Sequence, residues 1–521
     1  MNLQAPENFT KVPHSWDVFS DVKVWLEEAV FGHRLWPRQN PWLLLLEFLN
    51  VAEAQQREPG GLFAAQEPAR LQPYALSYRM GLRNILFNND ELAEVAALPY
   101  EDETLWALWF KSMEGAEAAP AEGFDYLKRR FSRFHDFADL VALVRQTTLE
   151  GENNRRWSSR FIFPFGAQAL FSDAIITGGD PRRDYINFGR TGEILYLMLS
   201  RAKRVDELRP KLAALLAPDQ PKNRLIGLLN AESDGRPSLQ MKGNSFLPYR
   251  AHPAFDRLAE DWLAILNLGL PAQDAFGHLA PLASLHVMLY QLETAAVWAG
   301  KVRPSLVCEI IAPRRELVRQ RSVASFNEND ALARQALILY AETVLSEADW
   351  PADETSNLSE DERLERASEL LKQEFSYSVD GRHGTVEALR LQFEQAAESK
   401  LDENAGQIHL RYGRYVGLVS RRGTNRNRYA PTDELLKTLV ITRVRKRAEF
   451  SKFLADVYIH YGLVFGPEEA RSALTTFDFN EGAFGKNRER LEARLGSMGL
   501  LKRLSDGCAY VLNPFAKDSS Q

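Results

Sequence analysis

The chain has 521 residues, with 64 Lys and Arg against 70 Asp and Glu, for a formal charge of −6. Apolar residues make up 45% and charged residues 26%, ordinary globular values that exclude a disordered chain, a collagen and a disulfide scaffold. The length predicts about three to four domains and a sizeable core.

The start, MNLQAPENFTKVPHSWD, has no basic head followed by an apolar stretch, so no signal peptide is expected. The longest apolar run, WLLLLEFL at 42–49, contains Glu47 and falls far short of the roughly 20 residues a bilayer demands. A cytoplasmic protein with no membrane partner follows. Cys308 and Cys508 are too far apart in sequence for a zinc ribbon or a redox pair.

Residues 1–150 predict an N-terminal helical domain. Val24, Trp25, Glu28 and Ala29 open a helical period, and 42–51 resumes it after the Asn40-Pro41 break. Further helices are expected at 91–98 and 140–147. Trp16, Trp25, Trp36, Trp42, Trp106 and Trp109 are expected to fill its core. Residues 151–350 predict a central, mainly helical domain. There RFIFPF (160–165) reads as an extended segment, Gly178-Gly179-Asp180-Pro181 as a loop, and 193–202 as a buried helix. More helices follow at 255–268, 279–299 and 328–347.

Residues 351–404 carry 14 acidic and six basic residues, which predicts an acidic linker and solvated helices. The balance then reverses: 411–447 has 11 basic and two acidic residues. In the last stretch, Phe450, Phe453, Leu454, Val457, Tyr458 and Tyr461 make one continuous helical face. Gly462 ends that helix and Pro467 opens a second. A third, about 484–498, lines up Phe484, Leu491, Leu495 and Met498. LLKRL and CAYVL flank Ser505-Asp506-Gly507, a strong hairpin signal. The expected fold is therefore mainly α and multidomain, with 405–521 holding the basic segment and a C-terminal winged helix of three helices plus a β-hairpin.

Chemistry is harder to find. Gly189-Arg190-Thr191-Gly192 lacks the Lys of a phosphate loop. Its helix start offers an anion site beside Arg182, Arg183 and Arg190, or simply a helix capped by Thr191. None of the nine histidines forms a metal-binding pair, and Pro281 separates His278 from His286. Asp173, Asp180 and Asp184, with Glu193 beyond, are the one carboxylate group in an Arg-rich setting, and turns or caps explain them equally well. There is no nucleophile elbow, and Cys508 is expected to be a small buried residue of the hairpin. A non-catalytic chain with no metal or cofactor is the expectation.

The basic stretch says more. Arg411, Arg414, Arg421, Arg422, Arg426 and Arg428 alternate with Tyr412, Tyr415 and Tyr429, with Gly423-Thr424-Asn425 as a turn. Arginine grips phosphate and tyrosine stacks on bases, so DNA is the expected partner. Docking on the chain's own acidic 351–404 stretch, or on an acidic partner subunit, accounts for the same charge. On the third helix Lys486, Asn487, Arg488, Arg490 and Arg494 are the candidates for groove contact, although many winged helices dock protein instead.

The phrases TDELLKTLVITRV, EFSKFLADVYIHYGLVFGPEEA and RLEARLGSMGLLKRLSDGCAYVLNPF resemble the tail of a family of bacterial proteins from multi-gene anti-phage defence islands. FIFPFGAQALF and FGRTGEILYLMLSRA resemble its middle region. The family is most like a large accessory component of the methylation-associated defence system. The resemblance implies a subunit beside a methyltransferase, ATPases and nucleases, recognising DNA or scaffolding the assembly. Alternatives are a metal-dependent nuclease centred on the central-domain carboxylates and a pure protein scaffold.

Overall fold

The computed structural model describes residues 5–11, 25–64, 72–152, 154–234, 237–351, 358–378, 384–421, 426–505 and 508–516. It is mainly helical with a few small sheets. Among the described residues no helix is long and apolar enough to cross a membrane.

Two compact units share the chain. One is Arg38–Phe246; the other joins Met1–Pro37 to Leu247–Gln521. The chain-order divisions at 150, 350 and 404 do not coincide with these units. The reason is that the first residues pack with distant sequence: Phe9 bridges Tyr249, and Lys400 reaches Glu28 at 3.0 Å.

Within the 38–246 unit, Asn40 caps the Pro41–Gln56 helix by accepting from the Leu43 amide at 3.0 Å, and Pro41 sits where its missing N–H costs nothing. This helix is apolar on every side, which demands burial on every side. Leu43, Leu44, Leu45, Leu46, Phe48 and Leu49 are all buried, and the helix packs on the equally apolar Thr191–Ser200 helix. A second cluster surrounds Trp106 and Trp109. Their rings lie 5.0 Å from Phe134 and 4.8 Å from Phe137 respectively, and the Trp109 indole donates to Asn89 at 2.9 Å. Gly178 and Gly179, expected in a plain loop, instead turn a tight hairpin between Ala174–Thr177 and Asp180–Arg183, both with positive φ.

The other unit is organised on the buried Ala272–Trp298 helix, which packs against Pro253–Leu266, Leu332–Glu347 and Ile408–Tyr415. Pro281 lies inside it rather than ending it, so His278 and His286 share one helix. Of the acidic stretch, Ser359 forms a capping box with Glu362 at the start of Glu360–Phe375, and Val386–Glu403 is the second helix. Part of the expected linker, 352–357, lies outside the described residues.

The C-terminal elements form where the periodicity places them. The helices are Phe450–Tyr461, Pro467–Ala473 and Glu481–Ser497, and the hairpin is Leu501–Ser505 with Cys508–Leu512. Asp506 and Gly507 of the expected turn are outside the described residues. A third strand, Arg447–Glu449, pairs with Cys508–Leu512 on its other edge. Cys508 is exposed, against the expectation of burial, because it is the first residue of the central strand, at the end that extends beyond its pairing with Arg447–Glu449.

Candidate nucleic-acid interface

The basic segment folds into the short Ile408–Tyr415 helix followed by the hairpin Val419–Ser420 with Arg428–Tyr429. Gly417 makes the connection possible. Its φ is +76°, and a Cβ there would sit 2.3 Å from the Thr432 hydroxyl. Arg414 is exposed and donates to the Asn427 side chain at 3.0 Å. Arg421 and Arg426 are exposed at the two sides of the hairpin's far end, and Arg411 is half-buried one turn before Arg414. Arg414, Arg421 and Arg426 make no ion pair with any described residue. Arg422 and Gly423-Thr424-Asn425 lie outside the described residues.

Three expectations for this segment are corrected. Arg428 is buried and donates to Glu309 at 2.7 Å, so its charge is spent inside the protein. Tyr412 is buried with its hydroxyl on the Trp36 carbonyl at 3.0 Å. Tyr429 is buried too, its hydroxyl shared with Asn329 and His409 at 2.9 and 2.8 Å. Neither ring can stack on a base. Only Tyr415 of the three remains half-exposed.

The third C-terminal helix is corrected more severely. Its apolar face packs Phe484 with Val307, Val318, Val464 and Ala470, which turns several of its polar residues toward protein. Asn487 is fully buried. It accepts from the Ile310 amide at 2.8 Å and donates to the Cys308 and Phe465 carbonyls, both at 2.9 Å. Arg490 forks onto Glu316 with two bonds of 2.6 Å, and Arg494 holds Asp433 at 2.5 Å and the Pro431 carbonyl at 3.0 Å. The Arg488 guanidinium lies 5.7 Å from the Phe450 ring. Lys486 alone of the five is exposed. Partners at Glu309, Glu316 and Asp433, rather than 351–404, take up the charge of Arg428, Arg490 and Arg494.

Asn487 is thus a bracket between three backbone groups. Asn487→Ala is expected to cost about 2–3 kcal/mol, since it leaves buried backbone donors and acceptors without partners. Urea unfolding measures this. DNA affinity of the folded variant is expected to match the parent; a weakened complex with unchanged stability would return Asn487 to the interface.

One basic and aromatic group escaped the sequence reading because its members are far apart in the chain. The Arg447 guanidinium lies 5.7 Å from the Tyr510 ring, and Lys502 is paired with Tyr510 across the hairpin. Arg447 and Lys502 are exposed.

The carboxylates considered for metal chemistry are engaged otherwise. Asp173 is buried and accepts from Ser159 at 2.5 Å and from the Asn187 side chain at 2.9 Å. Asp184 pairs with Arg156. Glu193 holds Arg183 at 2.6 Å and Arg190 at 2.9 Å. The side chain of Asp180 is outside the described residues. The anion site weighed at 189–192 against a plain capped helix is filled by the protein itself. Glu47 accepts from the Arg190 amide at 2.9 Å and the Gly192 amide at 2.8 Å, so a carboxylate from the Pro41–Gln56 helix occupies the start of Thr191–Ser200. Only glycine fits at 192, where a Cβ would meet Glu47 and the Phe48 backbone at 2.6 Å. Thr191 is the first helical residue rather than the cap.

A cluster no spacing rule could find joins Asp261, His286 and His460, all buried. One Asp261 oxygen accepts from His286 Nε2 at 2.7 Å and Tyr461 at 2.6 Å. The other lies 2.9 Å from His460 Nε2 and 3.1 Å from an Arg443 nitrogen. Arg443 is fixed in turn by Asp456 at 2.8 and 3.0 Å. Burial would raise the Asp261 carboxyl, but His460 and His286 outweigh it and hold it well below the usual carboxylate range. Burial lowers His286, and Asp261 opposes that only in part. A neutral His286 donating to an ionised Asp261 follows. Two imidazole–carboxylate pairs are metal-ligand types, but the guanidinium already supplies the positive charge between them. The arrangement is a hydrogen-bonded hub.

No protein-family model matches the chain, and neither does any curated protein or solved structure.

Proposed function

We propose that the chain is a non-catalytic, DNA-binding or adaptor subunit whose phosphate-binding face is the far end of the 419–429 hairpin. The carrying observation is that Arg421 and Arg426 at that end, and Arg414 on the preceding helix where it holds the Asn427 side chain, are exposed with no carboxylate partner among the described residues, while Arg428, Arg490 and Arg494 are consumed by carboxylates. Exposed arginines left without a carboxylate partner are what counterion-releasing contact with phosphate uses. The three C-terminal helices and the sheet in the order 447–449, 508–512, 501–505 support a winged-helix reading. In that reading the sheet, with Arg447, Tyr510 and Lys502, faces the nucleic acid, and the Glu481–Ser497 helix is a structural element. Membership of a bacterial antiviral assembly, in which other subunits perform the chemistry in the cytoplasm, rests on the sequence resemblance.

The test is duplex DNA binding by fluorescence anisotropy from about 50 to 200 mM salt. Replacing Arg414, Arg421 and Arg426 with Ala is expected to weaken binding at least tenfold. It should also flatten the log–log salt slope by about two to three, near one per lost phosphate contact. An unchanged slope, or no binding by the parent at low salt, sinks the assignment. In that event docking to protein gains ground, for which Phe477 is a specific observation: it is 97% exposed between the second and third C-terminal helices.

A further inference from the structure

Beside the proposed DNA face lies a cavity of about 510 Å³ with no role so far. Three elements wall it: the early turns of Ala272–Trp298, the end of Ile408–Tyr415, and the start of Asp433–Arg443. The space exists because of backbone choices. Gly277 has nothing within 4 Å of where a Cβ would project, and Gly417 turns the chain sharply against Thr432.

The lining is chemically mixed in an informative way. Arg414 and Lys437 bring two cations, Glu434 one carboxylate, Tyr415 an aromatic ring and His278 an imidazole. His278 Nδ1 is 3.1 Å from the Thr438 hydroxyl, which leaves Nε2 for a ligand. Arg414 uses one nitrogen on Asn427, and the Lys437 ammonium lies 5.9 Å from the Phe515 ring. Both keep donors to spare, because guanidinium and ammonium carry several each.

We infer that this cavity binds a nucleoside monophosphate group, either free or as the phosphorylated end of a nucleic-acid strand. The volume falls within the roughly 300–1,000 Å³ of small-ligand sites. Arg414 and Lys437 neutralise a phosphate, Tyr415 offers a flat face to a base, and Glu434 accepts from ribose hydroxyls or an exocyclic amine. A simple oxyanion would need none of the last two, and a polyanion would find Glu434 unfavourable. The site shares Arg414 with the DNA face but does not depend on duplex binding.

The test is calorimetric titration of the full chain with AMP and, separately, inorganic phosphate. AMP is expected to bind, and phosphate at least tenfold more weakly. Lys437→Glu reverses an exposed charge outside the hairpin face, and Gly277→Met fills the cavity from an open helical position; each is expected to weaken AMP at least tenfold. Both variants should keep the parent's duplex affinity if the hairpin carries it, which separates failure here from failure there. A 5′-phosphorylated oligonucleotide that displaces AMP, where its 5′-hydroxyl twin does not, identifies a strand end; displacement by neither identifies a free nucleotide. No AMP binding at millimolar concentration, equal affinity for phosphate, or indifference to both variants overturns the inference.

Discussion

Asp261→Ala is expected to destabilise the protein by about 3–5 kcal/mol, the cost of removing one partner from a buried ionic network. His286, His460 and Tyr461 each lose the oxygen they donate to, and Arg443 keeps only Asp456. Asp261→Asn should do little better. Every neighbour is a donor, so the amide nitrogen would face N–H and O–H groups. The measurement is urea unfolding at pH 7, and a loss below about 1 kcal/mol would show that the hub is not structural. The depressed carboxyl fixes the pH dependence. Its contribution is present above the ordinary Asp value of about 3.9 and is lost as pH falls toward the lower folded value. Zinc added to the parent is expected to leave the midpoint unchanged, because Arg443 already occupies the position of positive charge; a zinc-dependent rise would make the cluster a metal site instead.

Glu47→Ala is expected to cost a similar amount, about 3–5 kcal/mol, in the other unit. Glu47 receives the Gln39 amide at 2.8 Å, the Arg190 and Gly192 backbone, and Arg183 at 3.2 Å. Its loss leaves Arg183 and Arg190 buried with one carboxylate fewer beside Glu193. Glu47→Gln isolates the titration. Burial first, and Glu193 second, raise the Glu47 carboxyl to about 6, with Arg183 pulling the other way. The folded state therefore holds this proton more tightly than the unfolded chain. The associated stability is present below about 4.5 and lost as pH rises through about 6, on the order of 2 kcal/mol. Chemical denaturation from pH 4.5 to 7 should show the parent losing this advantage relative to Glu47→Gln. Parallel curves would remove the titration from Glu47.

These two carboxylates also show where sequence reading stops. Asp261 sits in an ordinary amphipathic helix, 25 residues before His286 and about 200 before its other partners, and nothing in its neighbours marks it. Glu47 is different: a lone acid inside WLLLLEFL signals a buried charge, but not that its partner would be the start of a helix some 145 residues later.

What the sequence determined by itself is what short-range physics controls. Apolar periodicity set the C-terminal helices, Asn40-Pro41 and Ser359 with Glu362 set helix starts, and Gly462 set a helix end, because each depends on residues within a turn or two. It also concentrated positive charge in 411–447. Which of those charges face water was decided only by the tertiary structure. Arg426 and Arg428 are two residues apart, yet one is exposed and the other is locked on Glu309, because Arg428 belongs to the Arg428–Tyr429 strand, both of whose residues are buried, whereas Arg426 lies before that strand. The same holds on the third helix, where Lys486 and Asn487 differ by one step around the axis. Desolvating a charge or amide is tolerated only against a partner, and those partners come from distant sequence.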